Sequence, residues 1–196
     1  MVLFAWYAHA PWPAAALGGA GLVATGVAIV IASPHQVKLS TLIGLRFDAA
    51  PPMVLSILGA GVGVAAGLAQ RASLHLPLAR DFALGPFVIV ACLIGATEEV
   101  IYRGWLLSRL RALGWPAAIV VSAVAHAAYK TALFAQPAVA VPIDHLSLAL
   151  YTAAGGLVLG TLRVVSGSLW PALIAHAVFD FVVYRAVAHA PWWVWG

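Results

Sequence analysis

Scarcity of charge constrains this chain more than any motif in it. Ten Lys or Arg and six Asp or Glu are all that 196 residues contain, 8% of the chain, while 64% is hydrophobic and the mean hydropathy is +1.01. A water-soluble domain carries about 25% charged residues. So few charges cannot clothe a 20.4 kDa globule in water, which excludes a soluble enzyme, a nucleic-acid binder and a disordered chain. The solvent for most of this surface is lipid, and the bilayer is the first partner the sequence names. The pI near 9.6 comes from positives spread along the whole chain with no basic stripe, so no nucleic acid is expected.

A helix needs about 20 mostly apolar residues to cross the hydrocarbon. Six stretches qualify, approximately 13–32, 51–69, 82–97 (running on towards 112), 116–135, 146–162 and 169–188. Breakers separate them: Ser33-Pro34, Pro51-Pro52, Leu76-Pro77, Gly114-Trp115-Pro116, Pro137 to Pro142, and Ser166-Gly167-Ser168 before Pro171. None shows period-2 alternation, and lipid tolerates only self-satisfied backbone, so the spans are helices. The expected fold class is all-α, a polytopic membrane helix bundle of about six transmembrane helices forming one integral-membrane domain over residues 1–196.

The first Lys or Arg is Lys38, so no positive n-region precedes the first apolar stretch, which is expected to stay as a membrane helix. With the N-terminus outside, six positives fall inside: Lys38, Arg46, Arg103, Arg109, Arg111 and Arg163. Both termini are therefore expected outside, in a multi-pass protein of a bacterial inner membrane. The lone Cys92 can form no internal disulfide and reads as a small core hydrophobe. Gly59, Gly63 and Gly67 recur every four residues, as do Gly156 and Gly160, a pattern of close helix packing inside the bundle or at a homodimer face.

Against this background the ionisable residues inside spans stand out, because each costs at least about 2.5–3.5 kcal/mol near the membrane centre. The first cluster is Thr97-Glu98-Glu99-Val100-Ile101-Tyr102-Arg103. Glu99 and Arg103 are four apart, in the acid-first order that favours an ion pair, which leaves Glu98 next to Tyr102 without its own cation. Taken alone, this reads equally as a helix start with acids in its first turn. The second is His126, about 15 Å into its span; alone it is a packing histidine, with Lys130 one turn on holding a carbonyl or snorkelling outward. The third pairs His176 with Asp180 on one face, a carboxylate placed to orient an imidazole or help bind a metal, or a polar clamp between helices. The proposed topology brings all three clusters to the inner half of the bilayer, and their convergence is what packing alone does not explain.

Glu98-Glu99-x-x-x-Arg103, a histidine on the next helix, and His176-x-x-x-Asp180 on a later one resemble the CPBP family of CAAX proteases and bacteriocin-processing enzymes, also called Abi or Rce1-like. The resemblance covers about residues 82–188. It implies an intramembrane endopeptidase in which Glu98 activates a water. Glu99 and Arg103 would support the site, His126 would help position the water, and His176 with Asp180 would line the oxyanion site. Two positions depart from the family pattern: Ser122 stands where Phe is frequent four residues before the histidine, and Asp180 where Asn is frequent. An ionised Asp cannot donate to an oxyanion, so Asp180 would be protonated or would orient His176.

The implied chemistry has two forms. Glu98, His126 and His176 make a His₂Glu set of the type that holds an open Zn²⁺ site, with Asp180 behind it. The H-E-x-x-H pair that fixes two ligands on one helix is absent, and the reading favours a glutamate mechanism without cofactor. Substrates would be membrane-tethered polypeptides: CAAX-like C-termini, leader peptides or C-terminal sorting tails. Two alternatives to proteolysis remain, a non-catalytic peptide-binding or immunity-type protein and a small proton-coupled transporter. Histidines 9, 35, 75, 145 and 189 fall at loops or helix ends and are read as interfacial.

Overall fold

A computed structural model describes residues 44–45, 50–76, 86–134 and 144–185. Among these residues all regular structure is helical. The five main elements are α1 (Ala50–Ser73), α2 (Pro86–Glu99), α3 (Trp115–Phe134), α4 (His145–Ser166) and α5 (Trp170–Tyr184). They cover the last five of the apolar stretches as helices, with ends shifted by a few residues. The expected first span, 13–32, lies outside the described residues. The helix begun by α2 continues past the two glutamates through a π-helical segment, Val100–Leu106, one α-helical turn, Leu107–Arg109, and a 3₁₀ turn, Leu110–Leu113.

Local chemistry sets the ends. The Asp144 carboxylate accepts from the Leu146 and Ser147 amides at 3.1 Å and from the Ser147 hydroxyl at 2.6 Å, capping α4. The Ser147 hydroxyl and these amides hold this exposed carboxyl below its ordinary range. Gly167 closes α4 at φ 67°, and Pro171 opens α5 in its first turn.

Glycines decide which helices meet. A Cβ at Gly59 would lie 2.5 Å from the Pro171 carbonyl, one at Gly63 would overlap the Ala175 carbonyl, and one at Gly67 would lie 2.8 Å from Val182 Cβ. The stripe therefore packs inside the bundle, with α1 running alongside α5 in the same direction. Arg71 in the last turn of α1 donates to the Val183 carbonyl at 2.8 Å and to that of Val182 at 3.4 Å, a cation on the C-terminal carbonyls of α5. Gly156 and Gly160 face Ala123 and Ile119, so α4 runs against α3. Gly63→Ala is expected to cost about 1–3 kcal/mol by overpacking, read as an earlier melt in detergent; an unchanged melt would deny the α1–α5 contact.

The bundle buries charged groups within its apolar core and turns apolar side chains outward. Arg71, Glu98, Glu99, Arg103, His126, Arg163 and Asp180 are all buried. Many large apolar side chains are turned outward: Ile57 is 76% exposed, Leu146 69%, Val165 65% and Leu93 63%. Water would impose the opposite arrangement. Pro52–Ser73 and His145–Ser166 are each long and apolar enough to cross a membrane, and Trp170–Tyr184 is a shorter apolar helix.

Candidate active site

Consecutive helical residues point about 100° apart, so two adjacent buried carboxylates need partners on two sides. Glu98 and Glu99 are both 0% exposed, and each finds its own set. Glu99 Oε1 accepts from Arg103 Nη1 at 2.7 Å, on its own helix, and from His176 Nδ1 at 2.8 Å, on α5. Glu98 turns to α3, with Oε1 2.7 Å from Lys130 Nζ and Oε2 3.3 Å from His126 Nε2. The π-helical segment starts directly after them: the Leu107 amide reaches back five residues to the Tyr102 carbonyl, which also accepts from the Ser122 hydroxyl at 2.8 Å. Widened turns of this kind recur at functional sites.

The network dictates where the ring protons sit. Arg103 only donates, so His126 Nδ1, 3.1 Å from Arg103 Nη1, accepts. The His126 proton is then on Nε2 and points at Glu98 Oε2. The ring is held flat by stacking on Tyr102, with centroids 4.6 Å apart. His176 donates from Nδ1 to Glu99, and its Nε2 lies 3.9 Å from both Glu98 Oε2 and Asp180 Oδ2. All six residues singled out from the sequence thus meet in one place, contributed by α2 and its π-helical continuation, α3 and α5.

The site is closed at one end and open at the other. Side-chain exposure rises from 1% at Arg103 through 5% at His126 and 12% at His176 to 23% at Lys130. α3 packs mainly on α4, and α5 on α1 and α2. The two histidine-bearing helices therefore flank the glutamates without packing extensively on each other. His75 sits in a left-handed turn after α1 and His145 begins α4, both away from the network; His9, His35 and His189 lie outside the described residues.

The family described as type II CAAX prenyl endopeptidase Rce1-like matches residues 80–182, more than half of the chain. The chain belongs to the Rce1-like family. No curated protein and no solved structure matches it. As a member of the Rce1-like family it is a membrane protein, a hydrolase of the CAAX intramembrane endopeptidase type, whose substrate is a peptide or protein in the membrane. The matched segment carries Glu98, Glu99, Arg103, His126, His176 and Asp180.

Three residues of this Rce1-like site escape a reading of the sequence alone. Glu98 does have a cation: Lys130, expected to hold a carbonyl or snorkel outward, turns inward to it instead. The signal was available, because His126 and Lys130 are four apart and share a helix face. Ser122, the departure from the family's Phe, uses its hydroxyl on the Tyr102 carbonyl and so joins α3 to the π-helical segment. Gly95 is the third. A Cβ there would overlap the Asp180 carboxylate and lie 2.9 Å from the His176 ring. Gly95→Ala is expected to displace His176 and Asp180, losing activity with a stability cost of about 1–3 kcal/mol. A fully active Gly95→Ala chain would show that this close approach is unnecessary.

Zinc needs unprotonated imidazole nitrogens about 2.0–2.1 Å away. Here the His126 lone pair is committed to Arg103, the His126 proton faces Glu98, and Lys130 occupies Glu98 Oε1. Of the two rings, only His176 Nε2 is left to turn towards an ion. Among the described residues no group of three or more His, Cys, Asp or Glu is arranged to hold a metal. As arranged, Glu98, His126 and His176 do not fit Zn²⁺.

Proposed function

We propose that the chain is a multi-pass endopeptidase in which Glu98 activates water to cut membrane-tethered polypeptides. The observation that carries this reading is the meeting of Glu98, His126, His176 and Asp180 inside a bundle that turns many large apolar side chains outward. Glu98 Oε2 and His176 Nε2, 3.9 Å apart, can share one oxygen at about 2.8 Å from each, the separation at which a water bridges two polar groups.

The steps balance with these groups alone. Glu98 Oε2 takes a proton from the water as its oxygen attacks the peptide carbonyl. His126 Nε2–H holds that carboxylate oxygen in place. His176, anchored through Nδ1–H on Glu99 and carrying a second proton, presents Nε2–H to the developing oxyanion, where fixed donors do most for the rate. Asp180 Oδ2, 3.9 Å from that same nitrogen, lies beside the ring and adds its carboxyl to the surroundings of Nε2. The C–N bond then breaks as Glu98 returns its proton to the leaving amine, releasing a carboxylic acid and an amine. Glu99 and Arg103 hold His176 and His126 in register.

His126 lies about 16 Å along α3 from Trp115. With both termini outside, in a bacterial inner membrane, the Trp115 end of α3 would be cytoplasmic and the chemistry would lie about halfway down that 20-residue helix. The substrates of this reading are tethered C-termini, leader peptides and C-terminal sorting tails. The catalytic core would be residues 82–188 of a single integral domain. The test is mass spectrometry of N- and C-terminal peptides from membranes of cells carrying either the wild-type chain or Glu98→Gln. New termini should appear with the wild type alone. Identical termini in both would favour a peptide-binding or proton-relay protein, neither of which requires cleavage.

A further inference from the structure

Glu98 poses a problem of orientation. Its two carboxylate oxygens are chemically equivalent, and the torsion that exchanges them is soft. The environment is not equivalent: Oε1 meets the Lys130 ammonium at 2.7 Å, while Oε2 faces the His126 and His176 nitrogens at 3.3 and 3.9 Å. The Arg103 guanidinium is already engaged by Glu99, at 2.7 Å, and by His126. Among the described residues, Lys130 supplies the cation on Glu98 Oε1, while a protonated His176 faces Oε2.

We propose that Lys130 is a positioning residue of the peptidase site, clamping Glu98 Oε1 so that Oε2 is the oxygen turned to the water. The proposal rests on the reading of Glu98 as the base. An ammonium suits this role, being a compact charge with three rotatable donors that can track a carboxylate without imposing a plane on it. Its place on the open side of the network, at 23% side-chain exposure, lets the long stem reach in to Glu98 from the rim. Lys130 acts through Glu98 and needs no bond to substrate, so its effect belongs in kcat.

The experiment uses the full-length chain in liposomes with a farnesylated peptide ending in Cys-aliphatic-aliphatic-X, assayed well below each variant's melting temperature. Wild type should cleave it and Glu98→Gln should not; cleavage by Glu98→Gln overturns the reading of the base and this proposal with it, while a wild type that leaves the peptide intact overturns the prenyl-peptidase reading on which the proposal stands. Given both controls, Lys130→Met should lower kcat about a hundredfold, the scale of one acid–base contribution, with KM essentially unchanged. Lys130→Arg should restore kcat to within about tenfold of wild type, because the charge returns in a less adaptable shape. A Lys130→Met chain with wild-type kcat, a loss confined to KM, or an Arg variant no faster than the Met variant would each overturn the clamp while leaving Glu98 as the base. If Lys130→Met does not fold, Lys130→Gln takes its place beside Lys130→Arg: a Gln variant as fast as the Arg variant overturns the proposal, and one at least about tenfold slower supports it.

Discussion

Glu99→Gln should be the variant that melts early. Glu99 Oε1 holds both Arg103 Nη1 and His176 Nδ1, and the Arg103 side chain is 1% exposed. Removing the negative charge leaves that guanidinium in an apolar interior without its anion, and breaking a buried pair in this way costs about 3–5 kcal/mol. The melting temperature in detergent should fall by on the order of 10 °C. Activity should fall as well, because His176 and His126 both hang from this pair. A substitution that removed the partner at the same time, Glu99→Gln with Arg103→Met, should recover part of the lost stability without recovering activity.

Glu98→Gln should behave in the opposite way. Gln is nearly isosteric, and its carbonyl still offers His126 Nε2–H an acceptor. Lys130 loses its anion, but with 23% of its side chain exposed it can turn its ammonium outward. The melt should stay close to wild type. Turnover should fall by at least about 10²–10⁴-fold, since a neutral amide cannot take a proton from water. If instead Glu98→Gln melts early while Glu99→Gln is stable and inactive, the two carboxylates have exchanged roles.

Much of this was legible in the sequence because lipid simplifies the problem. Where the solvent is apolar, a short ionisable side chain in a span must face inward, so Glu98, Glu99, His126, His176 and Asp180, with Arg103 four residues from Glu99, could be gathered as candidates by composition and helical spacing, whereas Lys130, long enough to snorkel, could not. The breakers placed five helices to within a few residues, since Gly167 and Pro171 act locally. What spacing could not supply was partnership across helices. Glu98 and Lys130 are far apart in sequence, and only the approach of α3 to the end of α2 puts them 2.7 Å apart. Gly95 was invisible for the same reason: its importance comes from the Asp180 carboxylate that α5 brings against it. The π-helical segment was also beyond reach, because Gly104 weakens an α-helix without specifying a widened turn.

Whether Glu98 or a metal ion activates the water is decided by product mass spectrometry on the purified chain in liposomes. The farnesylated peptide is incubated with and without a strong zinc chelator. With Glu98 as the base, the C-terminal tripeptide should be released at the same rate in both samples and should not be released by Glu98→Gln. Cleavage that stops with the chelator and returns on adding Zn²⁺, or that persists in a folded Glu98→Gln chain, would contradict that role for Glu98.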